Sequence, residues 1–575
     1  MRKSFPLGVV FALIVSLVLF ACARAAPTAT PTRAPAVTPT PTTVPTPTTR
    51  PGPRGTLNVS VANLGNEVWL VRMPTSDEAP IMDAVFDALI GFDTKTQAFP
   101  QTGGSHPGLA AKWSVELTPD GGSLWKMTLR KGVQFHQGWG ELTAEDVKFT
   151  VNEFFKPQSV HPYTFGYVAW VGKDINNFKI VDNYSFEVKS NEQNFLQVRR
   201  LSMAGLGLSP ISKKYQEAVG EDAVGKRPVG TGSFELVDHK RNQKVSLKAV
   251  NNHWRQTPDV AEVNITVVPE IATNIAMLRT GQVDLTSIPA KYKKELEAAG
   301  LNIFRGEMAK AFNMFFGGMF LPTREKYNPA SPWTGKEPTG ESPTLVRKAL
   351  NLAIDRQAIM DKILFNEAVP KVISFNFQKP GVYWWKNDWK PYPYDAKGAK
   401  EAITKAGYPN GFDTQMYLIS LAWAPENVDM SEAIASMWEQ NLGLKVKRQP
   451  TEYRPTVRQK LVERSSADWT YLYTNASISD PVNYGCGCCI GPSWATILHT
   501  EHPKVDEICG PLLKEFDLQK QVPLIQALGD FLYQNYWTAP IASGNVLWAA
   551  GPKVKDYPVF PGASTLKNLE LITLK

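Results

Sequence analysis

Three neighbouring runs decide the fold: Pro107-Gly108-Leu109-Ala110-Ala111-Lys112-Trp113, then Trp125-Lys126-Met127-Thr128-Leu129-Arg130-Lys131-Gly132-Val133-Gln134-Phe135-His136, then Leu142-Thr143-Ala144-Glu145-Asp146-Val147. The run from Trp125 to Arg130 alternates apolar and polar side chains, the period of a strand with one covered face. Thr143 followed three residues later by Asp146 is a capping-box signature, so a helix begins at Ala144. A strand, a turn through Gly138 and a helix therefore follow one another within about thirty residues. Trp113 and Trp125 read as core side chains, and His136 as a structural residue of the turn.

Outward from this stretch the same alternation continues. Gly55–Val61, Val263–Val268, Lys445–Arg448 and Trp469–Tyr473 read as strands. Ile81–Ile90, Ile271–Thr280, Leu345–Ile359, Ala396–Ala406 and Leu524–Tyr536 carry helical apolar stripes, the last with Pro523 suited to its first turn. Strands alternating with helices predict an α/β architecture in which helices cover the sheets. A chain of 575 residues exceeds one compact core, so several domains are expected. The formal charge of +8, spread over 62 basic and 54 acidic residues, demands no nucleic-acid partner. Five cysteines are too few for a disulfide-built scaffold, while 16 Trp, 18 Tyr and 27 Phe supply many rings for cores and for apolar ligand faces.

The N-terminus gives an address. Arg2 and Lys3 precede an apolar run from Leu7 to Phe20, which is too short for a permanent span. Leu19-Phe20-Ala21-Cys22 resembles the bacterial lipobox, which predicts cleavage before Cys22, its lipidation, and an extracytoplasmic, membrane-anchored lipoprotein at the cell surface or in the periplasm; an ordinary signal peptide cut near Ala23–Ala26 is the alternative. Residues 23–54 are nearly all Pro, Thr and Ala and read as an unfolded, extended stalk.

Five motifs in order resemble the family 5 solute-binding proteins of ABC transporters, the dipeptide/oligopeptide/nickel type. The first is the stretch already quoted. The others are Pro228–Phe234 with Asn252-His253-Trp254, Ala276–Asp284, Val346–Arg356 and Ala406–Phe412. The resemblance implies a two-lobed, type II periplasmic-binding-protein fold with a hinge between the lobes. Lobe I would comprise 55–93, 228–312 and 540–575, with an extra domain inserted at 94–227, and lobe II would comprise 313–539. The implied function is capture of a peptide, oligosaccharide or similar solute in the interlobe cleft and delivery to an ABC permease with its ATPase subunits. Ligand contacts from both lobes exist only when the cleft is shut, so the ligand shifts the open–closed population. A monomer without cofactor, metal or catalytic residue is expected, and no nucleic-acid partner. A cell-surface polysaccharide hydrolase and a solute-sensing receptor of the same fold are the competing readings. No Gly-x-Ser-x-Gly, His-Glu-x-x-His or phosphate-loop motif supports the first of these.

The resemblance places the ligand near Trp469–Pro481. Peptide-binding members carry an Asp four residues before such a Pro, where it pairs with the peptide amino group; this chain has Ser477. A hydroxyl cannot neutralise a buried ammonium. Asp480 lies one residue before Pro481. Tyr453, Tyr471, Tyr473 and Trp423, with Asn475, Ser477 and Asp480, are the candidate ligand contacts, and rings beside neutral hydrogen-bonding groups suit sugars or other amphipathic solutes. Tyr383-Trp384-Trp385 with Trp389 reads as lid, packing patch or second platform. Cys486, Cys488, Cys489 and Cys509 are disulfide candidates, with one bond expected from the first three to Cys509. His499 and His502 lie between them, but their spacing matches no standard zinc pattern.

Overall fold

The computed structural model describes residues 52–575, apart from 75–77, 95–97, 103, 205, 378–381, 422, 468, 477–479, 491–498, 561 and 564. The leader with Cys22, the stalk up to residue 51, and Ser477 thus lie outside the described residues, as do the side chains of Cys488 and Cys489.

Two sheets carry the architecture. Ala110–Leu117, Ser123–Leu129, Ser185–Ser190 and Phe178–Asp182 form a four-stranded antiparallel sheet in that order, wholly inside 94–227. Its alternation is the one legible in the sequence: Trp125, Met127 and Leu129 point inward and are buried, and Trp113 stacks on Trp125. The Asp146 carboxylate accepts from the Thr143 N–H at 2.9 Å and starts the helix Ala144–Glu153. His136 receives the Gly230 N–H and bonds the Gly232 carbonyl at 2.8 Å, a structural role.

The larger sheet has eleven strands among the described residues. At one end, Phe234–Lys240, Lys244–Ala249, Val260–Val267, Arg54–Val61 and Leu285–Ile288 lie side by side. At the other end lie Lys445–Glu452, Asp413–Ser420 and Trp469–Ala476. Two long strands, Asn302–Phe316 and Ala539–Ala550, join the two ends. The first part of Asn302–Phe316 pairs only with Ala539–Ala550, whereas Lys310–Phe316 also pairs with Trp469–Ala476. Register slips where these roles change, between Gly306 and Lys310 and between Phe312 and Asn313. Met308, inside the first irregularity, is left-handed at φ 49°. Its N–H is held by Asn545 Oδ1 at 3.1 Å, and Asn545 Nδ2 donates to Glu367, which also receives Lys293 and Arg305. Bulges of this kind bend a strand locally while keeping its pairing on either side.

Some helix limits differ from expectation. Leu345–Ile359 is two helices, Glu341–Leu352 and Arg356–Lys362, because the Asp355 side chain accepts from the Ala358 N–H and starts a new one. The late helix begins at Leu518, where Asp517 caps it, so Pro523 lies inside it rather than in the first turn. The helix expected over Ile81–Ile90 is Ala79–Val85. Among the described residues no helix is long and apolar enough to cross a membrane.

Candidate functional site

Residues Phe195 and Arg199 meet the chain around Asp480 and Leu513 at a seam. The Phe195 N–H donates to the Leu513 carbonyl at 2.7 Å, and the rings of Phe195 and Trp125 pack against Phe516. Arg199 Nη1 meets Asp480 Oδ2 at 2.7 Å, with 9% and 11% of the two side chains exposed. Asp480 also accepts from the Asn483 N–H. The Cys486–Cys509 disulfide ties the turn Val482–Cys489 to the helix Pro503–Lys514, so the Asp480 and Leu513 contacts belong to one braced unit. Cys486 is thus the member of the cysteine cluster that bonds Cys509.

Asn475 Nδ2 donates to Asn376 at 2.5 Å, and Asn313 donates to Asn475 Oδ1 at 3.2 Å. Tyr453 and Tyr473 stack with ring centres 4.4 Å apart. Tyr471 is fully buried, stacked on Phe315, in contact with Trp469, and hydrogen-bonded to His499. Burial pushes the Tyr471 hydroxyl well above its ordinary range and lowers the His499 imidazole to about 3. Trp423 is 36% exposed and donates from Nε1 to the Thr474 carbonyl. Trp384 and Trp389 pack on Phe377, and Tyr383 donates to Gln521, so this aromatic group is joined to the late helix. His502 caps the helix that follows it, accepting from the Lys504 N–H. Among the described residues no three His, Cys, Asp or Glu side chains gather as a metal site would require.

A second charged cluster lies at the other end. Asp87 accepts from Thr231, His253, Trp254 and Arg255, and Arg255 also meets Glu570 at 2.6 Å. Burial alone would raise the Asp87 carboxyl, but the His253 hydrogen bond and the Arg255 charge outweigh it and hold it at about 2. Lys567 pairs with Asp83 beside it. Asp83, Asp87, Arg255, Lys567 and Glu570 help line a cavity of about 40 Å³, room for a few waters rather than a solute.

Sequence reasoning missed Arg199, which pairs with Asp480, and the buried Lys371. The Lys371 signal was available: it is a lone charge between Pro370 and Val372 in an apolar run.

Residues 105–490 match the family model of bacterial extracellular solute-binding proteins, family 5. The chain belongs to this family. It is 27% identical over 376 residues to heme-binding protein A of Haemophilus influenzae, a match spanning 60% of this chain and 62% of that one. It is 23% identical to di/tripeptide-binding protein 3 of Pseudomonas aeruginosa over 79% of this chain and 84% of that one. The solved structure of HbpA2 from Haemophilus parasuis superposes with a TM-score of 0.70 at 21% identity, covering 91% of this chain and 100% of that chain. The family 5 protein described here therefore has the type II periplasmic-binding-protein fold, and the relatives are named for binding rather than for catalysis.

Proposed function

We propose that this family 5 protein captures a small solute between two lobes and presents the closed form to an ABC permease. The two ends of the large sheet would be the lobes, 94–227 an insertion in the first, and the paired long strands the hinge. The observation that carries the reading is the Arg199–Asp480 pair, which joins residues 281 positions apart across the seam. Such a contact exists in one lobe arrangement only, so anything that favours that arrangement is coupled to it. Lipidation at Cys22 would keep the protein at the membrane.

Within this reading Ser477 argues against short peptides held by a free amine, and the nearby Asp480 is already engaged by Arg199. Tyr453, Tyr473 and Trp423 beside Asn475 suit an amphipathic solute that lies against rings. The test is mass spectrometry of the solute released from purified protein, followed by small-angle scattering with and without it. A fall in the radius of gyration on adding the released solute is the expected result. A particle of unchanged dimensions, with every co-purified solute chemically converted, would overturn the reading.

A further inference from the structure

One buried carboxylate grips both long strands of the large sheet. Glu367 is 5% exposed. It accepts from Lys293, from Arg305 Nε at 3.2 Å and from Asn545 Nδ2 at 3.0 Å. Arg305 lies on Asn302–Phe316 and Asn545 on Ala539–Ala550. Asn545 Oδ1 in turn holds the N–H of Met308, the left-handed residue inside the strand irregularity. Glu297 shares Arg305, at 3.8 Å. Burial alone would raise the Glu367 carboxyl, but the hydrogen bonds from Lys293, Asn545 and Arg305 outweigh it and hold it below the usual carboxylate range.

The backbone places Glu367 there. Phe365 and Asn366 both have positive φ, 50° and 61°, and Phe365 is 44% exposed. A bulky left-handed residue is costly, and a ring so exposed gains little packing in return. What the turn achieves is position. The Glu367 carbonyl accepts from the Asn545 N–H at 2.9 Å, and Ala368–Pro370 pairs with Ala542–Gly544. Further along the same strand, Leu547–Ala550 pairs with Leu285–Ile288. The change of neighbour falls at Asn545 and Val546, where the register against Asn302–Phe316 also slips, between Gly306 and Lys310. Glu367 thus sits where the sheet changes partners and a strand bulges, the place at which a pair of strands bends most readily.

We propose that Glu367 is the latch of the hinge: its grip on Lys293 and Arg305 favours the lobe arrangement that also closes the Arg199–Asp480 seam. This rests on the solute-capture reading and names the residue that sets its closed population. By the lobe boundaries of that reading Glu367 belongs to lobe II, and Lys293, Arg305, Met308 and Asn545 belong to lobe I. Rotation of one lobe against the other bends the long strands, and so changes the separation of groups held across the bend. A charge grip made in one arrangement stabilises that arrangement alone. Glu367 is then a positioning residue, and it scales the apparent affinity for every solute by one common factor, the competent fraction.

The test is amide hydrogen exchange on the whole protein, read at the Phe195 N–H, which bonds the Leu513 carbonyl across the seam. Glu367→Gln removes the charge and keeps the shape. Lys293→Met removes one cation from a side chain that is 23% exposed, and tests the same grip if the first variant folds poorly. Each should speed exchange at Phe195 by about five-fold or more, and the double variant should exchange no faster than the quicker single one. Exchange along Ser123–Leu129, inside the smaller sheet, should not change. Phe195 rates within about two-fold of the parent in both variants would reduce the cluster to local packing and overturn the latch. Equal acceleration along Ser123–Leu129 would overturn it too, as general destabilisation. A second arm adds to the parent the filtrate of a heat-denatured sample of the same protein. Slower Phe195 exchange in the parent, with variants that match it throughout, sinks the latch and leaves solute capture standing. A parent that does not respond to the filtrate overturns solute capture, and the latch with it.

Discussion

The two buried charged regions are built on opposite plans. Around Asp87 every strong group has its partner: four donors converge on the carboxylate, and Arg255 is shared with Glu570. Around Lys371, among the described residues, an ammonium is buried against one distant carbonyl and no carboxylate. A closed network fixes one geometry and leaves nothing for a ligand to complete. An open one costs stability. The small cavity sits at the closed network.

The sharpest way to break this comparison is at Asp87. Asp87→Ala should destabilise the protein by about 3–5 kcal/mol in urea unfolding, because Arg255 and its neighbours lose their shared acceptor. The Asp87 carboxyl is lowered from 3.8 to about 2 in the folded protein. Its contribution is therefore complete above pH 3.8 and lost as pH falls through about 2, and the variant should show a shallower acid limb in that window.

The opposite sign is expected at Lys371. In the ligand-free protein Lys371→Met should raise stability by about 1–4 kcal/mol near pH 6, since it removes an uncompensated buried charge. The ammonium is lowered from 10.5 to about 7, so between those values the unfolded chain holds the extra proton. Stability of the parent should rise with pH across that window and level off above 10.5, and the variant should lack this slope. A destabilised variant would show instead that the two regions are built alike.

A smaller effect is expected where the seam closes. A double-mutant cycle on Arg199→Gln and Asp480→Asn should give a coupling of about 1–3 kcal/mol in stability, and either single change should shift scattering toward a larger radius. Zero coupling would make the pair an incidental contact. Smallest of all, Tyr453→Leu should cost about 1 kcal/mol in unfolding for the lost stack on Tyr473. A larger loss in solute affinity than in stability would assign the stack to the ligand.

The fold was legible because its signals are local. The alternation at Trp125–Arg130, the Thr143–Asp146 cap and the five ordered motifs each act within a few residues, and each is found where it was read. The site was legible only in outline. Tyr471 stands in the predicted strand, yet it is enclosed by Phe315, Trp469 and His499, two of which come from distant segments. The choice of Cys486 for Cys509 depends on a turn that presents one of three neighbouring thiols to a helix. Helix limits failed where a side chain intervened, at Asp355 and at Asp517.

By itself the sequence determined the periodicities, the caps and the order of motifs, since these follow from backbone geometry over one or two turns. Only the tertiary structure decided which buried charges are neutralised. Arg347, Arg356 and Lys371 look alike along the chain, and their partners are contributed by segments up to 188 positions away. Whether a charge is stable or costly depends on what surrounds it in a medium where water cannot help.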